Sequence, residues 1–145
     1  MWREAATAVF PGVGLRKPAQ APELIAAETR RGQTLPTDLR GLLLETNGII
    51  GHVHVDTVWS IDQIVQTNLH FWADQTLGQL YMPFTPFLFF GDNGGGDQFA
   101  FVHTPERPDI FVWEHESDSR RWVASNLQDY LSRALQGSGD DWYQM

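Results

Sequence analysis

The spacing of apolar residues predicts five helices along the chain. Apolar residues three or four positions apart fall on one side of a helix, and proline and Asn-Gly pairs often mark helix starts and ends. Leu39, Leu42 and Leu43 follow this spacing between Pro36 and Asn47-Gly48. The predicted helices cover residues 2–10, 22–32, 36–47, 60–69 and 125–137, with Ser60 and Ser125 as the capping residues of the last two.

Dense apolar runs in the second half predict strands over residues 87–91, 97–103, 109–115 and 121–124. A further β-prone stretch covers residues 49–59 and is interrupted by Gly51. Residues 73–86 are predicted to be irregular, and Thr104–Pro108 is expected to form a hairpin loop. We expect Phe99, Phe101, Phe111 and Trp113 on one sheet face, and Ala100, Val102, Ile110 and Val112 on the other. The pattern predicts one α+β domain, mainly an antiparallel twisted sheet flanked by helices.

A glycine-rich turn separates the first two of these strands. Its sequence is Gly91-Asp92-Asn93-Gly94-Gly95-Gly96-Asp97. Gly91, Gly94, Gly95 and Gly96 are assigned a structural role, and at least one of the last three is expected to have a positive φ. A phosphate loop is disfavoured because no Gly-Lys-Ser/Thr and no helix follows. A calcium loop is disfavoured because the alternate donors and final glutamate are absent.

Three segments together carry a resemblance to a known family. They are Leu35-Pro36 through Asn47-Gly48, the strand–turn–strand of Phe87 to Phe101, and the helix of Ser125 to Leu135. In order and spacing they resemble the SUKH superfamily, the Syd/Smi/Knr-like domains. The resemblance implies one domain over residues 1–145, with a core of about 22–136 and a tail of 137–145. It also implies a non-catalytic bacterial immunity protein that binds and neutralises a cognate polymorphic toxin. The alternative it leaves open is a regulatory or scaffold domain of the Smi/Knr type.

The charge distribution is consistent with a basic protein as the partner, and equally with a negative charge that serves only solubility. The chain of 145 residues has a net charge of −8, and residues 42–118 carry 11 acidic side chains against one basic one, Arg107. Such a field repels nucleic acid and anionic membranes and attracts basic proteins, among them basic nuclease toxins. The absence of cysteine and of a signal peptide pattern leads us to expect a cytoplasmic protein.

No pattern of catalytic or metal-binding residues stands out in the sequence. His52 and His54 alternate and are expected on one strand face, but the spacing typical of a zinc site is missing. There is no cysteine nucleophile and no Gly-x-Ser-x-Gly elbow. The sequence therefore predicts no enzyme activity, no catalytic residues, no cofactor and no metal.

Five acidic residues are the candidates for partner binding: Asp92, Asp97, Glu114, Glu116 and Asp118. Strand alternation places Glu114 and Glu116 on one face, and the carboxylates of the glycine-rich turn are expected at a strand end. Trp113 or Trp122 could add an aromatic anchor at the rim, although core packing is the commoner use of tryptophan.

Overall fold

The computed structural model describes residues 1–73, 87–103, 106–136 and 142–143. These residues include five α-helices, which are α1 (Trp2–Val9), α2 (Ala21–Arg31), α3 (Thr37–Glu45), α4 (Ile61–Ala73) and α5 (Leu127–Gln136). The strands are β1 (Gly14–Leu15), β2 (Ile49–Ile50), β3 (Asp56–Val58), β4 (Phe87–Asp92), β5 (Gln98–His103), β6 (Glu106–Glu114) and β7 (Ser119–Ala124). The predicted α+β class is confirmed. The prediction for residues 74–86 lies outside the described residues.

The strands form two antiparallel sheets that meet side by side. One has the order β1-β2-β3 and the other the order β4-β5-β6-β7. The backbone N–H of Trp59, just after β3, donates to the carbonyl of Phe90 on β4 at 2.7 Å. This bond joins the inner edges of the sheets, so β3 is held against β4.

The larger sheet packs one face on α5 and the other on the end of α4. On the α5 side, the buried Tyr130 ring lies 5.0 Å from Phe90 and 5.1 Å from Phe99, centroid to centroid. On the opposite side, the Phe71 ring of α4 lies 5.0 Å from Phe89 and 5.6 Å from Trp113. Both faces are apolar and covered, as the sequence predicts.

The expected grouping of the aromatic residues on these faces is wrong by one residue. Phe99 pairs with Val112, and Phe101 pairs with Ile110. Directly paired residues share a face, and a one-residue change of register moves every side chain of a strand to the other side. Phe111 and Trp113 therefore lie on the face opposite Phe99 and Phe101. The loop was also predicted too long, because β6 begins at Glu106.

Asparagine side chains cap two helices. Asn47 Oδ1 accepts the N–H of Ile61 at 2.8 Å at the start of α4. Asn126 Oδ1 accepts the N–H of Asp129 at 2.8 Å, and Asp129 Oδ2 accepts the N–H of Ser125 at 3.0 Å. This reciprocal pair corrects the prediction of Ser125 as the cap, because the helix begins at Leu127 and Asn126 directly precedes it.

We expect Asn126→Ala to lower the free energy of unfolding by about 1 kcal/mol. The substitution removes the acceptor for the Asp129 N–H and leaves the buried face of α5 unchanged. Chemical denaturation measures the loss, with exposed Gln128→Ala as the control on the same helix. Equal stability of the two variants would contradict the capping role.

No helix within the described ranges combines the length and the apolar character that a bilayer crossing requires.

Candidate interaction surface at the glycine-rich turn

Three loops meet at one end of the sheets. In an antiparallel meander the β4–β5 and β6–β7 turns lie at the same end, and Gly96 packs directly on the His115 ring. The start of β3 reaches the same end, since Val55 lies beside Gly94. We call this region the turn end and define it as residues 53–56, 92–97 and 114–118.

Two side chains hold the glycine-rich turn in shape. Asp92 Oδ1 accepts the Gly94 N–H at 2.7 Å, and its Oδ2 accepts the indole N–H of Trp59 at 2.7 Å. Asn93 Oδ1 accepts the N–H groups of Gly95 at 2.8 Å and Asp97 at 3.0 Å. Burial, with a smaller contribution from the charge of Asp56, raises the pKa of Asp92 despite the two hydrogen bonds.

Asp97 is a buried junction between the two turns and the C-terminal residues. Its Oδ1 contacts His115 Nδ1 at 2.6 Å and accepts the His115 backbone N–H at 3.1 Å. Its Oδ2 accepts the hydroxyl of Tyr143. Burial alone would raise the pKa of Asp97, but the hydrogen bonds from Tyr143 and His115 outweigh it and lower the pKa. This carboxylate is therefore committed to internal contacts.

Two more of the predicted partner-binding residues are engaged in ion pairs on the β6–β7 hairpin. Glu114 contacts Arg121 at 2.6 Å, and Asp118 contacts Arg120 at 3.0 Å and accepts the Trp113 indole N–H. Their side chains are about one-fifth exposed, whereas Glu116 is exposed. The prediction that Glu114 and Glu116 alternate on one strand face is wrong, because β6 ends at Glu114 and Glu116 lies in the turn that follows. The structure thus brings the five predicted residues to one end, with Asp97 beneath the surface. The exposed Asp56 joins them and was missed by sequence reasoning.

Most of the chain matches the model of a known family. The SUKH_6 family model, described as SMI1-KNR4 cell-wall, matches residues 22–131. The chain belongs to the SUKH superfamily. A search of curated proteins finds no significant match. The matched span of the SUKH domain contains the whole glycine-rich turn and the whole turn end, but it stops before Trp142 and Tyr143.

The histidines of this SUKH domain do not form the strand pair that the sequence suggests. Residues 52–54 form a single 3₁₀ turn, in which Val53 and His54 have positive φ. The His52 ring stacks on Phe10 at 3.8 Å, and its Nε2 lies 2.8 Å from the Leu135 carbonyl. His54 is exposed. Within the described ranges, no three histidine or acidic side chains are grouped as metal ligands would be.

The prediction of a positive φ in the glycine triplet is confirmed. Gly94 has φ +83° and Gly96 has φ +106°, whereas Gly95 lies outside the left-handed region. A Cβ on Gly96 would also approach the His115 ring to 2.9 Å, while one on Gly95 would meet only Asn93 at 3.5 Å. Gly95, at the middle of the triplet, is therefore the position that tolerates a side chain best.

We expect Gly96→Ala to cost about 1–3 kcal/mol of stability, because alanine is strained at this φ and contacts the imidazole. Gly95→Ala is the matched control and should change stability by no more than about 0.5 kcal/mol. Melting temperatures of the two purified variants provide the comparison. A Gly96→Ala variant as stable as Gly95→Ala would refute the left-handed turn.

The lowered pKa of Asp97 predicts a specific loss of stability in acid. A carboxyl with a folded-state pKa below its unfolded value of about 3.9 stabilises the protein above that value, and the stabilisation disappears as the pH falls through the folded-state pKa. The difference in unfolding free energy between wild type and Asp97→Asn should therefore shrink below about pH 4. Exposed Asp62→Asn is the control for loss of charge, and a pH-independent difference for Asp97→Asn would contradict the linkage.

Proposed function

We propose that this SUKH domain is a non-catalytic immunity protein that acts in the cytoplasm and neutralises a cognate toxin by binding it at the turn end. Membership of the SUKH superfamily supports a role in protein binding. The observation that carries the choice of surface is the meeting of acidic residues from distant parts of the chain. Asp56, Asp92, Glu114, Glu116 and Asp118 all lie at this one end of the sheets.

The turn end suits a basic partner for two reasons. Asp56 and Glu116 are exposed, so their charges face solvent and can steer a positively charged protein during encounter. The internal pairs of Glu114 and Asp118, and the hydrogen bonds of Asp92, fix the loops that present these charges. A preformed surface loses less conformational entropy on binding. A toxin with a basic active-site groove, such as a nuclease, matches this chemistry.

A pair of charge reversals tests the surface. The variant Asp56→Lys with Glu116→Lys should slow association with a toxin identified among the products of adjacent genes, and the difference from wild type should shrink as salt is raised. The matched control is Glu4→Lys with Asp62→Lys, which makes the same change in net charge on exposed residues of α1 and α4. Stopped-flow measurements at low and high salt give the association rates.

Different outcomes would refute the proposed binding surface and the proposed function. Equal slowing by both double variants would show that net charge acts without regard to place, and would refute the turn end as the contact. Failure of the wild-type protein to bind the neighbouring gene product, or to restore growth when the two are expressed together, would refute the immunity function itself.

The description of the matching family as SMI1-KNR4 cell-wall favours a regulatory or scaffold domain as the second candidate. That function predicts binding to a protein of the host cell, without any effect on the growth of cells that contain the toxin. The growth-rescue experiment distinguishes the two functions, because only an immunity protein restores growth in the presence of the toxin.

A further inference from the structure

The C-terminal residues Trp142 and Tyr143 occupy a cleft between the glycine-rich turn and α5. The half-buried Trp142 ring stacks on Phe99 at 5.4 Å and meets the Tyr130 ring edge-on at 5.8 Å. Tyr143 is buried and meets Phe99 edge-on at 5.3 Å. Aromatic contacts of this geometry add to the free energy gained by burial. The cleft thus offers an aromatic platform, formed by Phe99 and Tyr130.

Two polar side chains at the end of the cleft converge on one hydroxyl group. Asn93 Nδ2 donates to the Tyr143 hydroxyl at 2.9 Å, and that hydroxyl donates to Asp97 Oδ2. Asn93 and Asp97 are themselves buried, with about 5% and 6% of their surface exposed. A phenylalanine in the same place would leave a buried donor and a buried carboxylate without this partner. A site built in this way selects a tyrosine over a phenylalanine.

Only one side of this contact lies within the residues that the family model matches. Asn93, Asp97, Phe99 and Tyr130 lie within residues 22–131, which the family model matches, whereas Trp142 and Tyr143 lie beyond it. The aromatic pair therefore lies outside the matched span, whereas the four residues that contact it lie inside that span. The cleft also adjoins the turn end, because Asn93 and Asp97 belong to the glycine-rich turn.

We propose that this cleft is a binding site for a tyrosine-bearing peptide segment of another protein, and that Trp142–Tyr143 fills it in cis as an autoinhibitory ligand. The partner segment must place an aromatic ring on Phe99 and Tyr130 and a phenol hydroxyl between Asn93 and Asp97. A segment held in cis competes at a high effective concentration, so a partner gains access when the tail is displaced. The proposal does not rest on the identity of the toxin.

Peptide binding to variants of the 145-residue chain tests the site. The probe is a synthetic peptide with the sequence of residues 137–145, and the receptor is the full chain carrying Trp142→Ala and Tyr143→Ala. We expect saturable binding and a peptide-dependent rise in melting temperature. A peptide with phenylalanine in place of its tyrosine should bind about tenfold more weakly or less. Wild type, with its cleft filled, should bind the probe at least about tenfold more weakly than the variant.

Circular dichroism shows whether the receptor variant is folded. If the double variant is unfolded alone, recovery of its folded circular dichroism signal on addition of the peptide supports the site by the same mass-action argument. The single variant Tyr143→Ala, which keeps Trp142, provides a second receptor. Neither binding nor peptide-dependent folding in either variant would overturn the proposal. Equal affinity for the tyrosine and phenylalanine peptides would overturn the hydroxyl selection.

Discussion

Gly91→Ala is expected to destabilise the folded protein severely. A Cβ on Gly91 would lie 2.1 Å from the Thr57 carbonyl oxygen and 3.0 Å from its carbonyl carbon, both backbone atoms of the neighbouring strand β3. The same carbonyl accepts the Tyr130 hydroxyl at 2.6 Å, which ties β3 to α5. The methyl group can be admitted only if β3 moves away from β4 and this buried bond is lost. We expect a loss of more than about 3 kcal/mol.

The measurement is thermal or denaturant unfolding of the purified variant, beside Gly95→Ala as the control for adding a methyl group four residues away. Tyr130→Phe gives the cost of the hydrogen bond alone, which should be about 1–3 kcal/mol because the Thr57 carbonyl loses a buried donor. A Gly91→Ala protein with the melting temperature of wild type would show that β3 and β4 do not approach as closely as described.

The contrast between Gly91 and the glycine triplet shows what sequence reasoning could reach. A run of three glycines between two apolar strands predicts a turn with left-handed residues, because that depends on local backbone sterics. The need for glycine at position 91 depends on a strand 34 residues earlier in the chain. Local pattern carries no information about that approach. The one-residue error in the β5–β6 register has a local cause, because the loop was predicted to continue to Pro108 whereas β6 begins at Glu106.

The candidate surface was predictable in part. The acidic run in residues 92–118 marked its carboxylates as candidates for one surface, and the structure supplies the reason they lie together, because the β4–β5 and β6–β7 turns share an end of the meander. It did not show that Asp97 is buried, because its partner Tyr143 comes from the end of the chain. It also missed Asp56, which precedes the run by 36 residues. An isolated aspartate at the start of a short β-prone segment was the only local signal for it.

Asn68 is the second position at which we expect a large loss of stability. It lies on the apolar side of α4 and is completely buried. Its Nδ2 donates to the carbonyls of Ile64 and Phe89, each at 2.7 Å, and its Oδ1 accepts the Phe89 N–H at 2.8 Å. The amide thereby satisfies both backbone groups of Phe89, as a neighbouring strand would. This role explains a polar residue within an apolar stripe.

Asn68→Leu keeps the size of the side chain but leaves the N–H and the carbonyl of Phe89 without this partner. Each unsatisfied buried group costs about 1–3 kcal/mol, so we expect a total loss of about 3 kcal/mol or more. Exposed Gln66→Leu is the control on the same helix and should be close to neutral. Denaturant unfolding of the two variants measures the difference, and similar stabilities would refute the bridging role of Asn68.

The pH dependence of the stability of Asn68→Asp distinguishes a hydrogen-bonding role for Asn68 from a role in packing alone. The carboxylate can accept the Phe89 N–H, but its second oxygen faces two carbonyl oxygens, so the folded protein favours the protonated acid, which can donate to one of them. Burial and this contact raise the folded-state pKa of the new carboxyl above its unfolded value of about 3.9. Stability linked to a raised pKa is present at low pH and lost as the pH rises through the folded-state value. The deficit of Asn68→Asp relative to wild type should therefore shrink from pH 7 toward pH 4, whereas that of Asn68→Leu should stay constant. Parallel pH profiles for the two variants would contradict the raised pKa and the contact of this side chain with the two carbonyl oxygens.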